Sequence, residues 1–131
     1  MKFSKDDFIF IPLGGSSEIG MNSNLYHFKN RWIMVDLGIS FPDDNMPGID
    51  IVLPDLTFIE ERKATLEAII LTHAHEDHIG AVAHIWPSLK CKIYATPFTS
   101  VLILEKFKER KIDISKYLEV VPLNSKIQLG N

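Results

Sequence analysis

Four consecutive apolar residues, Ala68 to Leu71, run without a turn residue into Thr72-His73-Ala74-His75-Glu76-Asp77-His78. Behind this polar stretch, Ile79, Val82, Ala83 and Trp86 recur at the spacing of one helix face. A buried strand that feeds a polar loop and then an amphipathic helix must end at the rim of a covered sheet. The loop is therefore held between two packed elements. Pro87 is expected to end the helix.

The remaining elements follow from the same reasoning. Phe8 to Leu13, Asn24 to Phe28 and Trp32 to Leu37 read as strands, the last two joined by the polar connection Lys29-Asn30-Arg31. Gly14 to Gly20 reads as a loop, and Ser40 to Asp55, rich in Pro, Gly and Asp, as a longer one. Leu56 to Lys63 has room for a short helix. Lys92 to Ala95 is a strand, and Thr96-Pro97 opens a helix running to about Lys111. Tyr117 to Leu123 and Lys126 to Leu129 read as two final strands. Alternating strands and helices after residue 66 predict a layered α/β fold, and the hairpin before them predicts a mixed sheet.

With 131 residues, 46% hydrophobic and 24% charged, the chain is expected to form one globular domain. A formal net charge of -3 offers no global field to attract nucleic acid, though it leaves room for a local basic groove. Cys91 is the single cysteine, so there is neither an intrachain disulfide nor a cysteine metal cluster, and a reducing cytoplasm fits. Met1 to Asp7 does not read as a signal peptide, and no apolar stretch approaches a membrane span. The Gly130-Asn131 pair resembles the opening of a turn whose returning strand is missing. The expectation is a single partial domain over residues 1–131, cut short at its C-terminal end.

The chemistry gathers in His73, His75, Asp77 and His78. His73 and His75 are two apart at a strand end and share a face. Asp77 and His78 follow the turn into the helix. Imidazole nitrogen and carboxylate oxygen are the donors of catalytic zinc sites, which keep a position open for water. His73 and His75 suit one ion, Asp77 and His78 a neighbour. Two adjacent ions lower the pKa of water towards ~7 and hold attacking and leaving oxygens together. Helix capping would account for Asp77 alone, but not for three of the chain's five histidines around it.

His73-Ala74-His75-Glu76-Asp77-His78 resembles the His-x-His-x-Asp-His signature of the metallo-β-lactamase superfamily. Two further strings, Gly14-Gly15-Ser16-Ser17-Glu18-Ile19-Gly20-Met21-Asn22 and Phe41-Pro42-Asp43-Asp44-Asn45-Met46-Pro47-Gly48-Ile49-Asp50, resemble the ribonuclease J family within it, as does Leu71 to Gly80. The resemblance implies the N-terminal part of an αβ/βα sandwich with mixed sheets. It also implies a zinc-dependent hydrolase of RNA phosphodiesters with exonuclease and endonuclease activity. His73 and His75 would hold one zinc, and Asp77 and His78 the other, with Asp77 also the candidate proton acceptor. Asp36, at the end of its strand, would orient a ligand histidine from outside the metal shell. The family's further histidines, bridging aspartate and RNA-clamping domain find no counterpart here. Weak metal occupancy and no activity of the chain alone are therefore expected, with RNA, a complementing polypeptide or a second copy as partner. Two other readings stand beside this one: hydrolysis of a small ester or lactam by the same fold, and an inactive split remnant. Ala74 replaces a glycine common in the family and would strain the loop only if its φ had to be positive.

Other motifs fail on inspection. Gly15 and Gly20 have P-loop spacing, but Met21 stands where lysine is required, so this is a turn lining the cleft. Asp43, Asn45 and Gly48 cannot form an EF-hand with Pro47 and Pro54 at ligand positions. Lys106, Lys108, Arg110 and Lys111 are interleaved with Glu105 and Glu109 and read as a solvated helix face. His27, His84 and Cys91 read as surface or packing residues.

Overall fold

The computed structural model describes residues 2–130. Its centre is one six-stranded sheet in sequential order. The strands are β1 (Ile9–Gly14), β2 (Ser23–Phe28), β3 (Arg31–Val35), β4 (Leu66–Leu71), β5 (Lys92–Ala95) and β6 (Leu118–Val120). The first three pair antiparallel, and β3 to β6 pair parallel. The sheet is mixed, as expected. The hairpin between β2 and β3 turns on Lys29 and Asn30, both at positive φ (51° and 62°), the backbone that a two-residue connection demands. The parallel crossovers carry the helices α1 (Thr57–Glu60), α2 (Glu76–Ile79), α3 (Val82–Leu89) and α4 (Pro97–Glu109), with a 3-10 turn at Lys63–Thr65.

One face of the sheet is buried. Leu25, Trp32, Met34, Ile69 and Ile93 join Ile59, Ile79, Val82, Trp86, Ile103 and Phe107 in a single apolar cluster. The Trp86 ring meets Phe107 edge-on at 5.6 Å, and its Nε1 donates to the Cys91 carbonyl at 2.8 Å. His27 is buried in the same layer, between Phe3 and Trp32, with Nδ1 2.9 Å from the Asp7 carbonyl. On the opposite face, Phe10 and Phe28 remain exposed, and Tyr26 and Ile33 half-buried. Among the described residues, no helix is long and apolar enough to cross a membrane.

Four expectations need correction. Pro87 lies inside α3 rather than ending it. The helix gives up one hydrogen bond there and continues until Lys90 enters the left-handed region, at φ 51°. The helix expected from Ile79 onward is two pieces, α2 and α3, because the tertiary structure captures backbone groups that a continuous helix would use. Asn22 donates to the Asp77 carbonyl, and Ala81 donates to Leu37 rather than back along the helix. The strand expected over Tyr117 to Leu123 shrinks to Leu118–Val120, because Pro122 has no N–H to extend the ladder. Lys126 to Leu129 is no strand; Leu129 instead lines a cavity with Phe8, Tyr26 and Ile33 on the open face.

Cys91 is buried, and burial pushes its thiol up to about 12. The thiolate is the reacting form. Native protein at pH 8 should therefore leave Cys91 unlabelled by Ellman's reagent, and unfolding in guanidinium should release one reactive thiol. Rapid labelling of the native state would contradict this packing.

Candidate metal centre

Strands β3 and β4 are parallel neighbours that end on the same rim. Beyond β3 the chain turns at Asp36, whose φ is 64°. An L-residue tolerates that conformation poorly, but aspartate is among the exceptions. The turn brings the Asp36 carboxylate beneath the loop that follows β4. One oxygen accepts from the Thr72 N–H at 2.8 Å, and both lie 2.9 Å from the Thr72 hydroxyl. Oδ2 is 2.6 Å from His78 Nδ1. Asp36 is only 5% exposed, so these contacts satisfy a carboxylate that burial would otherwise penalise heavily.

These bonds set the histidine tautomers. His78 donates from Nδ1 to Asp36, which leaves Nε2 as the ring nitrogen that carries its lone pair. The Thr72 hydroxyl has one proton, which it gives to Asp36, so at 2.9 Å it accepts from His73 Nδ1. His73 therefore also presents Nε2. The rings stand together: His73 to His75 is 4.7 Å between centroids, and His73 to His78 is 4.0 Å. The Asp77 carboxylate Oδ2 lies 3.4 Å from His78 Nε2. The structure thus brings all four predicted ligands to one rim, with Asp36 directly behind them. Among the described residues, no three such donors already stand in the arrangement that would close round one ion. Imidazoles oriented by a carboxylate, with a second carboxylate alongside, are nevertheless donor types that fit a divalent metal such as zinc.

The loop is fixed by backbone as much as by side chains. Leu37 donates to the His78 carbonyl (2.8 Å), Ile39 to Glu76 (3.1 Å) and Ala81 to Leu37 (3.0 Å). Asn22 N–H donates to the Asp77 carbonyl at 2.9 Å. Gly38 lies so close beneath that an added Cβ would sit 1.7 Å from the Asp77 carbonyl oxygen. Glu76, between the ligands, forms an ion pair with Lys106 of α4. Ala74 is absent from the residues at positive φ, so the loop tolerates it without strain.

Sequence reasoning missed Thr72, Asn22 and Gly38. Thr72 adjoins His73, and only its contact with Asp36 reveals a role. Asn22 and Gly38 act through contacts 55 and 39 residues along the chain, which no local pattern encodes. His84 stays apart from the cluster, 3.2 Å from Arg110. Partial burial, then the charges of Arg110 and Lys106, lower its pKa.

The family model described as the metallo-beta-lactamase superfamily matches residues 20–124. The chain belongs to the metallo-beta-lactamase superfamily. Within the superfamily it is similar to Ribonuclease J of Sinorhizobium meliloti, 49% identical over 77% of this chain and 19% of that protein. It is also similar to Ribonuclease J 2 of Staphylococcus aureus, 42% identical over 86% of this chain and 20% of the relative. The chain spans about a fifth of the length of these curated relatives. Among solved structures, human tRNase Z, short form, superposes with a TM-score of 0.55 at 14% identity, covering 86% of this chain and 42% of that one. A superfamily protein from Sulfolobus tokodaii gives 0.52 at 20% identity, covering 95% and 52%. At these identities the likeness is one of fold, and it confirms part of a metallo-beta-lactamase sandwich rather than the whole.

Two substitutions test the rim. Asp36→Asn keeps the shape and the tolerance for positive φ, but removes the charge that binds Thr72 and His78. It should cost about 1.5–3 kcal/mol in denaturant unfolding. Gly38→Ala should destabilise by roughly 1–3 kcal/mol through the collision with the Asp77 carbonyl. Wild-type stability in either variant would mean that the loop is not held as described.

Proposed function

We propose that this chain carries the first ligand cluster of a two-zinc hydrolase of RNA phosphodiesters. His73 and His75 serve one ion, and Asp77 and His78 the other. The observation that carries the metal reading is the double grip of Asp36: it holds His78 directly and His73 through Thr72, so that both rings offer Nε2. A carboxylate behind a histidine is what orients metal-binding imidazoles and raises their basicity. The RNA part of the reading is supported by similarity to Ribonuclease J across 77% of the chain.

Ions held by His73, His75, Asp77 and His78 would supply Lewis-acid polarisation of a phosphodiester and lower the pKa of a water. The chain's own residues do the rest. His73, His75 and His78 would be the imidazole donors, and Asp36 fixes the orientation of His78 directly and of His73 through Thr72. Asp77 would be a ligand, and its carboxylate the proton acceptor for the incoming nucleophile. Substrate grip is not evident: the net charge is -3, and Lys106 is engaged with Glu76. We assign that task, and the remaining ligands, to the rest of the fold, of which this chain is the N-terminal part, whether carried on the same polypeptide, a complementing polypeptide or a second copy. The cytoplasm is the compartment that suits this reading.

With two protein donors per ion, against the three usual at catalytic zinc, the isolated chain should bind zinc weakly and lose binding in His75→Ala. Tight binding of two ions by the chain alone would contradict the assignment. Activity is tested by complementation. The chain is mixed with the S. meliloti relative's polypeptide from which the matching segment has been deleted, in zinc or manganese, and 5′-labelled RNA is followed on gels. Cleavage should require both polypeptides and vanish with His75→Ala. Hydrolysis of a small ester or lactam without RNA cleavage would replace the RNA reading with the small-substrate one.

A further inference from the structure

Asn22 occupies a place that the metal reading leaves unexplained. It follows the loop Gly14 to Gly20, and its backbone is tied into the rim on both sides: its N–H donates to the Asp77 carbonyl, and its own carbonyl accepts from Gly38. The side chain then folds over the ligands. Nδ2 is 3.1 Å from the Asp77 carbonyl oxygen, 3.1 Å from Asp77 Oδ2 and 3.3 Å from His78 Nε2. All three are acceptors, since His78 has committed its proton to Asp36 through Nδ1. This fixes the amide orientation, because a carbonyl oxygen at that place would face three lone-pair centres.

The Asp77 carboxylate and the His78 lone pair would otherwise repel across 3.4 Å. The amide N–H groups lie between them and offset that repulsion; Asp77 Oδ2 keeps a further lone pair, whereas the one lone pair of His78 Nε2 is taken until an ion displaces the amide. Gly15 makes room for this: at φ +85°, a Cβ there would fall 2.4 Å from Asn22 Oδ1. From this geometry we propose that Asn22, seated against Gly15, is the positioning residue that holds Asp77 and His78 facing one another until their ion arrives, when the amide gives up His78 Nε2 and keeps its bonds to Asp77. The inference rests on the metal reading above. It adds that the alignment exists before the ion arrives and is maintained by a neutral amide rather than by a charge.

The test uses Asn22→Ala, Asn22→Leu, which keeps the bulk without donors, and Gly15→Ala, which reaches the same amide from behind. Zinc affinity is measured by equilibrium dialysis, and the cobalt-loaded absorption spectrum reports ligand geometry. Long-range proton–nitrogen spectra of the metal-free chain report the two ring nitrogens of His78. Removing the amide should weaken zinc binding by about 10–100-fold, the usual range for outer-shell partners of metal ligands. It should alter the cobalt spectrum and shift the His78 Nε2 resonance while leaving the Nδ1-protonated tautomer in place. A purely structural role for Asn22 would lower stability and leave the Nε2 resonance of the folded fraction unmoved. Unchanged affinity and an unmoved resonance in Asn22→Leu, beside loss of binding in His75→Ala, would overturn the positioning role alone. Unchanged binding in His75→Ala would overturn the metal reading itself.

Discussion

The carboxylate of Asp36 is the constraint on which the rim depends. It is buried, it ends a central strand in a left-handed backbone, and its bonds go to the loop after the next strand. A buried carboxylate is tolerated only where its oxygens are satisfied. Here the partners that satisfy it, Thr72 and His78, lie within the ligand loop. The need to satisfy Asp36 and the need to orient the histidines are therefore met by the same bonds. The exposed loop residues gain a fixed geometry from a buried group, without being buried themselves.

Backbone contacts do the complementary work. The segments around Asn22 and Leu37 to Ile39 capture the carbonyls of Glu76, Asp77 and His78, and the helix that would use them divides into α2 and α3. The break lets Asp77 and His78 face the rim instead of following a continuous helix away from it. Gly38 permits the approach, since no side chain fits beneath Asp77. Glu76 turns the other way and ties the loop to α4 through Lys106. A six-residue motif thus divides its side chains between chemistry and anchoring.

The sheet has two different faces. Its helical side holds a closed apolar cluster, while the other side leaves Phe8, Phe10 and Phe28 in water. Exposed aromatic surface of this kind is costly and marks a place where another element packs. The chain spans a fifth of its curated relatives and about half of the superposed folds, and the open face agrees with a sandwich of which this is one sheet with its helices.

Much of this was legible in the residues. Period-two and helical patterns placed the strands and helices because each element buries one face, and burial imposes periodicity. The histidine spacing on a strand end placed the candidate ligands on one rim, and Asp36 was found at the end of its own strand. Misreadings arose where local preference met a tertiary competitor. Pro87 was outweighed by the packing of Trp86, and Lys126 to Leu129 found no neighbouring strand. By itself the sequence determined the mixed α/β layering and which residues are candidate donors, because both are written in residue type and spacing. Only the tertiary structure decided which histidine nitrogen is free and that Thr72, Asn22 and Gly38 hold the loop. Those properties depend on hydrogen bonds and close approaches between segments tens of residues apart, and such contacts leave no local pattern.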